Sequence, residues 1–225
     1  MNAHSPRVFV APSPGIADPR HTLGIVGAGK LGRAIGGSAA DGGWRVLFHD
    51  AAVTEPLRTE LASSAPTARL TGLAELASQA DLIVLAVPFG AADGLDYTLF
   101  DGKIVLDAMN HWAPVDGEMP ELAAYPQGTS ALVAGRGPGM RMVKSLNHLS
   151  YHDYTTDARS PEVTARRAVA VATDDRQGAR LVGALVNDLG FDPVPVPWDR
   201  GRLLEPGGPV FGRWLTAQQM RELLA

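Results

Sequence analysis

Apolar and polar positions follow one another in short blocks from residue 22 onward, and the blocks predict alternating strands and helices. Apolar runs predict strands at residues 22–26, 45–48, 68–70, 81–87 and 103–107. Helical spacing between them predicts helices at residues 31–40, 56–63 and 73–78. The runs at 81–87 and 103–107 are apolar almost throughout, as strands covered on both faces must be. This order predicts a parallel sheet wound by right-handed crossovers.

The second half of the chain continues the pattern. It predicts strands at residues 141–146, 168–172 and 193–196, and helices at 177–189 and 216–224. Gly190 is placed to end the first of these helices. The second helix and the residue before it offer an apolar stripe of Leu215, Met220, Leu223 and Leu224. The predicted fold class is α/β, with a doubly wound, mostly parallel sheet and a small C-terminal α/β extension.

Composition narrows the class of protein. The chain has 225 residues, of which 45% are hydrophobic and 20% charged, enough for one substantial core. Its net charge of −4 gives no basic stripe for nucleic acid, and no apolar run approaches the roughly 20 residues that span a bilayer. The absence of cysteine excludes disulfides and thiolate chemistry. With no signal-like start, we expect a cytoplasmic protein without nucleic-acid or membrane partners.

A glycine-rich turn lies between the first predicted strand and the first predicted helix. It consists of Gly27, Ala28, Gly29, Lys30, Leu31 and Gly32. In such a turn the first glycine permits the tight bend, the second lets the backbone approach a pyrophosphate, and the third lets the helix press against the strand. The N–H groups of Lys30 and Leu31 at the helix N-terminus, with the helix dipole, would hold the phosphates. The pattern predicts a dinucleotide site.

An acid at the end of the second strand strengthens that prediction. Asp50 lies about 20 residues after the glycines, where a carboxylate can bind the ribose hydroxyls of a dinucleotide. We therefore predict a dinucleotide-binding Rossmann domain at residues 21–147 and a smaller C-terminal substrate or dimerisation part at 148–225. Residues 1–20, with four prolines, are predicted to be a flexible tail.

Polar residues follow several of the predicted strands. Ligands bind at the carboxyl ends of parallel strands, so four loops should converge on the cofactor: residues 86–89, 108–112, 147–148 and 204–208. The second loop places Asn110, His111 and Trp112 in consecutive positions just past a buried strand. A purely structural interpretation stays open, in which Asn110 closes an Asx-turn and Trp112 lies in the core.

The histidines near the predicted cleft also allow two interpretations. His111 and His148 are candidate catalytic residues that could donate a proton to a carbonyl or imine substrate. His148 and His152 are also spaced like a metal-binding pair on a helix. Their segment is not strongly helical and no third ligand has suitable spacing, so no metal site is predicted.

Longer stretches of the chain resemble a known family. Residues 27–32, 84–88, 107–117, 143–148, 170–175, 188–194 and 201–207 are similar to the reductases that link coenzyme F420, a deazaflavin, to NADP. The resemblance covers nearly everything after His21. It implies a homodimer of Rossmann-fold subunits in which the deazaflavin binds over the nicotinamide, with hydride passing directly between the rings.

The resemblance also assigns residues to the two ligands. It implies that Ala86, Val87 and Pro88 line the nicotinamide side of the cleft, with Asn110 beside them. It implies further that Asn110, Trp112, Asn147 and His148 face the second ring system, and we add Leu204 to the substrate-binding residues. Direct hydride transfer needs two stacked carbons at about 3–3.5 Å more than it needs an acid or base.

One departure from the family bears on the choice between NAD and NADP. The family usually has a Ser-Arg or similar pair after the second strand, which grips the 2′-phosphate of NADP, whereas this chain has Asp50 and Ala51 there. A carboxylate repels that phosphate and accepts hydrogen bonds from an unphosphorylated ribose, which favours NAD. Arg58 could restore phosphate binding, and His49 is expected to border the adenine or ribose.

Three functions therefore remain open from the sequence. The first is hydride transfer between a nicotinamide cofactor and coenzyme F420. The second is an NAD(P)-dependent reduction or oxidation of a small organic carbonyl or imine. The third is a non-catalytic NAD(H)-binding protein, since Rossmann domains are reused for many purposes.

Overall fold

The computed structural model of the protein describes residues 21–160, 162 and 165–225. Within them the strands are β1 (Thr22–Val26), β2 (Arg45–His49), β3 (Arg69–Leu70), β4 (Leu82–Leu85), β5 (Ile104–Asp107), β6 (Arg141–Ser145), β7 (Ala168–Ala172) and β8 (Asp192–Val196). The α-helices are α1 (Lys30–Asp41), α2 (Glu55–Ser64), α3 (Leu73–Gln79), α4 (Ala113–Asp116), α5 (Thr129–Arg136), α6 (Asp153–Thr156), α7 (Arg176–Asp188) and α8 (Ala217–Leu224). Four 3₁₀ segments complete them, at Phe89–Gly94, Tyr97–Phe100, Pro120–Ala124 and Trp198–Leu204.

The strands form one sheet in the order β3-β2-β1-β4-β5-β6-β7-β8. Neighbouring strands are parallel except for β6 and β7, which pair antiparallel through Lys144 opposite Ala172 and Ser145 opposite Val171. The predicted α/β, doubly wound, mostly parallel Rossmann fold is confirmed. The strand order reverses at β1, so the crevice that such a fold uses for ligands opens at the carboxyl ends of β1 and β4.

Apolar side chains cover both faces of this sheet. On one face Ile25, Ile35 and Phe48 pack between the sheet and α1, all fully buried. On the other face α3 and α5 contribute Leu76 and Leu132 to a second cluster. A third cluster joins β7 and β8 to α8. The apolar runs of β4 and β5 are buried at every position, as strands between two helical layers require.

Each predicted strand and helix begins and ends within two residues of the observed one. The strand predicted at 81–87 ends at Leu85, and the one predicted at 141–146 ends at Ser145 because Leu146 turns to φ +64°. In the predicted terminal stripe Leu223 is exposed, while its three partners are buried. Helices α4, α5 and α6 and the 3₁₀ segments were not predicted. The tail predicted at residues 1–20 lies outside the described residues, and the division at 147/148 stays a prediction.

Candidate active site at the β1–α1 turn

The three glycines of the β1–α1 turn have three different environments. Gly27 has φ +104°, and a Cβ there would lie 2.6 Å from the carbonyl oxygen of Ala86. A Cβ on Gly32 would lie 2.0 Å from the carbonyl oxygen of Gly27, so α1 could not approach the strand with a larger residue. A Cβ on Gly29 would meet nothing within 4 Å. The first and third glycines therefore build the turn, and the second keeps open space beside the backbone.

The N-terminus of α1 opens onto that space. Gly29 is its N-cap residue and supplies no side-chain cap, which leaves first-turn N–H groups for an anionic ligand. Arg33 fixes the turn from the helix side, because one of its amino nitrogens donates to the Ala28 carbonyl at 2.6 Å and the other contacts Glu60 at 2.7 Å. Lys30 is exposed, with its Nζ 5.3 Å from the centre of the Tyr151 ring.

Asp50 is tied to the same turn. Its Oδ2 accepts the Ala28 N–H at 2.8 Å, and its Oδ1 accepts the Ala52 N–H at 2.9 Å. Each carboxylate oxygen has a second acceptor position, so both can still accept a ribose hydroxyl. The neighbouring His49 is partly buried, and its Nδ1 lies 3.2 Å from the Thr71 carbonyl oxygen.

The loops after β4 and β5 are joined to each other by a residue that the sequence analysis did not select. Asp116 accepts the Gly90 N–H at 2.9 Å through one oxygen and the Trp112 N–H at 2.8 Å through the other. The chain at Ala86, Val87 and Pro88 enters this loop directly from β4, with the Ala86 N–H donating to Val26 at 2.8 Å. Hydrogen bonds to Val26 and Asp116 therefore hold the backbone on either side of the predicted nicotinamide-side residues, next to the glycine turn.

Asn110 and Asn147 form a reciprocal pair. The Asn110 amide donates to the Asn147 carbonyl at 2.7 Å, and the Asn147 amide donates to Asn110 Oδ1 at 2.9 Å and to the Leu204 carbonyl at 2.8 Å. Three of the four predicted loops thus meet at these side chains. The turn after β5 is instead closed by Asp107, which accepts the Met109 N–H at 2.8 Å.

Trp112 lies at the surface beside this pair. Its side chain is 46% exposed, so the interpretation of Trp112 as a core residue is wrong. Its ring meets Phe211 edge to face, with centroids 5.9 Å apart. Leu204, by contrast, is fully buried, and only its carbonyl takes part in the polar contacts described above. Trp112 and Phe211 therefore form a partly exposed aromatic pair.

The two candidate catalytic histidines differ in position. The Nε2 atom of His111 lies 2.8 Å from the Gly117 carbonyl oxygen, and its ring packs against Phe89. His148 is 1% exposed, and its Nε2 accepts the Ala170 N–H at 3.4 Å. Burial, reinforced by the nearby charges of Arg167 and Lys144, lowers the pKa of His148 to about 3. A neutral, enclosed imidazole argues against the predicted proton-donor and ring-facing roles for His148.

A buried ion pair beneath Asn110 was also missed by the sequence analysis. Asp107 at the end of β5 and Lys144 in β6 are both fully buried, with Nζ 3.2 Å from Asp107 Oδ2. The Ser130 hydroxyl donates to the same carboxylate oxygen. The sequence places both residues in predicted strands and in the family-like segments, but it does not show that they pair, because the pairing depends on the alignment of two strands that are far apart in sequence.

In the described residues no three histidines, aspartates or glutamates are grouped so as to hold a metal ion. None of the described helices has the length and apolar content that a membrane span requires.

Residues 22–111 match the family model "NADP oxidoreductase coenzyme F420-dependent". The predicted resemblance is confirmed over that part of the chain, which contains the glycine turn, Asp50 and Asn110. The match and the fold support an NAD(P)-dependent oxidoreductase. No curated protein matches the chain.

Solved structures share the fold at low identity. A hypothetical protein from Sinorhizobium meliloti superposes with a TM-score of 0.73 at 22% identity, covering 87% of this chain and 95% of that one. A protein from Arthrobacter sp. FB24, assigned provisionally as an F420-dependent NADP reductase, gives a TM-score of 0.63 at 22% identity over 78% and 84% of the two chains. An imine reductase variant from Myxococcus stipitatus, in complex with NAD⁺, gives 0.58 at 17% identity over 81% and 57%.

Proposed function

We propose that this protein transfers hydride between a nicotinamide dinucleotide, NAD(H) in preference to NADP(H), and coenzyme F420. The observation that carries the dinucleotide part is the open space beside Gly29 at an uncapped helix N-terminus, next to a turn that Gly27 and Gly32 make possible. Such a cradle suits a pyrophosphate, whose charge the helix N-terminus stabilises. The family match over residues 22–111 supports the assignment to this class of reductase.

The chain's own task in this reaction is binding and placement. The N–H groups of Lys30 and Leu31 hold the phosphates, and Asp50 holds the adjoining ribose. The nicotinamide end then extends across the carboxyl ends of β1 and β4 towards Asn110. The nicotinamide supplies the hydride chemistry, which needs the reacting carbons about 3–3.5 Å apart. The proton that the deazaflavin gains or loses with the hydride exchanges with solvent. The aromatic surfaces of Trp112 and Phe211 suit a flat second ring system.

The charges around Asp50 support the preference for NAD(H). Arg33 and Arg58 are the arginines of α1 and α2 outside the glycine turn, which itself carries Lys30. Arg33 is paired with Glu60 at 2.7 Å, and Arg58 lies 3.6 Å from Glu55. A 2′-phosphate would therefore meet the Asp50 carboxylate while both arginines already lie beside acids. The Arg58 side chain is 56% exposed, so solvent screening weakens its help to a phosphate.

One substitution tests this preference. In Asp50→Asn the side-chain amide oxygen can still accept the Ala28 N–H, while the negative charge is lost. We expect NADP(H) to bind more tightly and NAD(H) less tightly, each measured by calorimetric titration. The matched control is Asp41→Asn, which removes the same charge from the far end of α1 and should leave both affinities unchanged. If wild type binds NADP(H) at least as tightly as NAD(H), the preference is wrong.

The second substrate is tested by anaerobic mixing. Reduced coenzyme F420 is mixed with enzyme and NAD⁺ or NADP⁺, and the deazaflavin absorbance is followed. We expect oxidation of the deazaflavin, faster with NAD⁺. No absorbance change with either nucleotide removes coenzyme F420 as the substrate, and tight nucleotide binding without any turnover would support the non-catalytic alternative.

A second candidate is the reduction of a small imine or carbonyl. The fold similarity to an imine reductase favours it, although this chain spans only 57% of that protein's length. Oxidation of NADH on addition of a cyclic imine, with no response to coenzyme F420, would select this function. A homodimer remains part of the proposal, and sedimentation equilibrium tests it.

A further inference from the structure

We propose that Lys144, acting with Asp107 and Ser130, is a positioning residue that fixes the backbone at Met109 and Asn110 for hydride transfer. The inference rests on the proposed function, because it assigns a role within the same site. Lys144 touches neither the glycine turn nor the exposed aromatic rings in the described structure. It acts through the loop that carries Asn110.

The contacts of Met109 carry the first step. Lys144 Nζ donates to the Met109 carbonyl at 2.5 Å, and Asp107 Oδ1 accepts the Met109 N–H at 2.8 Å. Both polar groups of this one residue are therefore held by the buried ion pair. The peptide bonds on either side of Met109 cannot rotate without breaking a buried hydrogen bond, and unsatisfied buried groups are costly. Lys144 and Asp107 thus fix the direction in which the backbone leads into Asn110.

The strand alignment explains how the pair forms. Asp107 and Lys144 are directly aligned partners in the parallel strands β5 and β6, at the carboxyl ends that border the ligand crevice. The Ser130 hydroxyl, on the first turn of α5, donates to Asp107 Oδ2 and completes its contacts. The network therefore ties two strands and one helix together immediately below the Asn110 loop.

The other side of the loop is fixed by a strained residue. Leu146 has φ +64°, and it is the one non-glycine residue with positive φ in the part of the chain that the structure describes. Such strain persists where the surroundings enforce it, often at functional sites. Here it turns the chain so that Asn147 can exchange hydrogen bonds with Asn110. Lys144 and Asn147, on the same segment, thus hold consecutive residues of the neighbouring loop.

The residue types in this network indicate that it orients the loop at Met109 and Asn110 more than it stabilises the fold. Among the ion pairs of the described residues, Asp107–Lys144 is the one in which both side chains are fully buried. Buried ion pairs lose hydration, and apolar residues of similar size often stabilise a fold as well or better. An ammonium group can hold a carbonyl oxygen in a fixed direction, which an apolar side chain cannot do. The pair lies at the site, where such direction matters.

Two variants separate placement from stability. Lys144→Met removes the ammonium and leaves Asp107 unpaired, so its melting temperature should fall. The double variant Lys144→Met with Asp107→Asn removes that buried charge while keeping an acceptor for the Met109 N–H. We expect the double variant to regain most of the melting temperature, but its Met109 carbonyl still lacks the ammonium. It also serves if the single variant does not fold.

The readouts are the dissociation constant of NADH, the hydride-transfer rate at saturating NADH and coenzyme F420, and hydrogen exchange over residues 108–112. In the double variant we expect unchanged NADH affinity, because the phosphates are held at the glycine turn. We expect a hydride-transfer rate lower by about 10²-fold, the loss typical of a misplaced reactant, and faster exchange at 108–112. Recovery of the rate and exchange protection together with the melting temperature would overturn the inference.

A control variant lies on the same strand. Arg141→Met removes the ion pair with Asp175 at the opposite end of β6, where Nε and Oδ2 are 2.6 Å apart. It should lower the melting temperature without changing the rate per bound NADH, and an equal loss of rate would contradict the inference. If wild type binds NADH but turns over neither coenzyme F420 nor an imine, the proposed function fails, and hydrogen exchange at 108–112 still decides the role of Lys144.

Discussion

Alanine substitution should weaken binding at Gly29 and lower stability at Gly32, although the two glycines lie in the same turn. Gly29 has φ −68° and ψ −172°, which alanine can adopt, and its Cβ would have no neighbour within 4 Å. Replacing such a glycine stabilises a protein by about 0.4–1 kcal/mol, because the unfolded chain loses freedom. Gly29 is also the N-cap of α1, where alanine is less favourable than glycine by a similar amount, so the stability should change little. The new methyl would, however, occupy the space assigned to the pyrophosphate.

The magnitude of the binding loss follows from the contacts at stake. A hydrogen bond to a charged group contributes about 1.5–3 kcal/mol. Displacing the phosphates from one such N–H should therefore weaken NAD(H) binding by roughly 10- to 150-fold. For a chain of this size, the melting temperature of Gly29→Ala should stay within about 2 °C of the wild-type value.

Gly32→Ala is the matched variant, with the same chemical change three residues later. Its Cβ would lie 2.0 Å from the Gly27 carbonyl oxygen and 3.2 Å from the Ile25 side chain. Overpacking of this kind costs about 1–3 kcal/mol, so its melting temperature should fall by about 2–12 °C. Thermal melts and calorimetric titration with NADH measure both quantities. Wild-type NADH affinity in a folded Gly29→Ala variant would refute the assignment of this space to the pyrophosphate.

Three further predictions concern residues around the site. The pKa of His148 is about 3 in the folded protein and 6.5 in the unfolded chain. The neutral His148 side chain therefore contributes fully to the free energy of unfolding above pH 6.5, and this contribution is lost progressively as the pH falls towards 3. Urea melts should show this as about 1.4 kcal/mol per pH unit, absent in His148→Gln. Glu205 Oε1 accepts both the N–H and the hydroxyl of Thr129 at 2.7 Å, so Glu205→Ala should lose about 1.5–3 kcal/mol of unfolding free energy, measured in urea at neutral pH. Trp112→Ala should lower that energy by about 0.5–1.5 kcal/mol, because it removes the edge-to-face contact with Phe211, while raising the KM for the second substrate in steady-state assays.

The glycine turn could be predicted from sequence because its chemistry is local. Each requirement falls on one residue: a positive φ at Gly27, open space at Gly29 and close packing at Gly32. The buried strands could also be predicted from sequence, because β4 and β5 are apolar at nearly every position and lie between helical layers. In these segments local pattern and tertiary environment agree.

The parts that escaped prediction depend on contacts between distant segments. Asp107 and Lys144 are 37 residues apart and meet only through strand alignment. His148 follows a strand like an accessible loop residue, yet the Leu146 turn and the hydrogen bond from the Gly212 N–H to the His148 carbonyl enclose it. Helix α5 is short and buried at Thr129 through Val133, so it lacks the alternating polar face that marks a surface helix.

The most direct test of the account is a crystal structure of the protein grown with saturating NADH. We predict pyrophosphate oxygens within hydrogen-bond distance of the main-chain N–H groups of Lys30 and Leu31, with a ribose hydroxyl on the Asp50 carboxylate. A dinucleotide bound elsewhere, with the space beside Gly29 filled by protein or solvent, would contradict it.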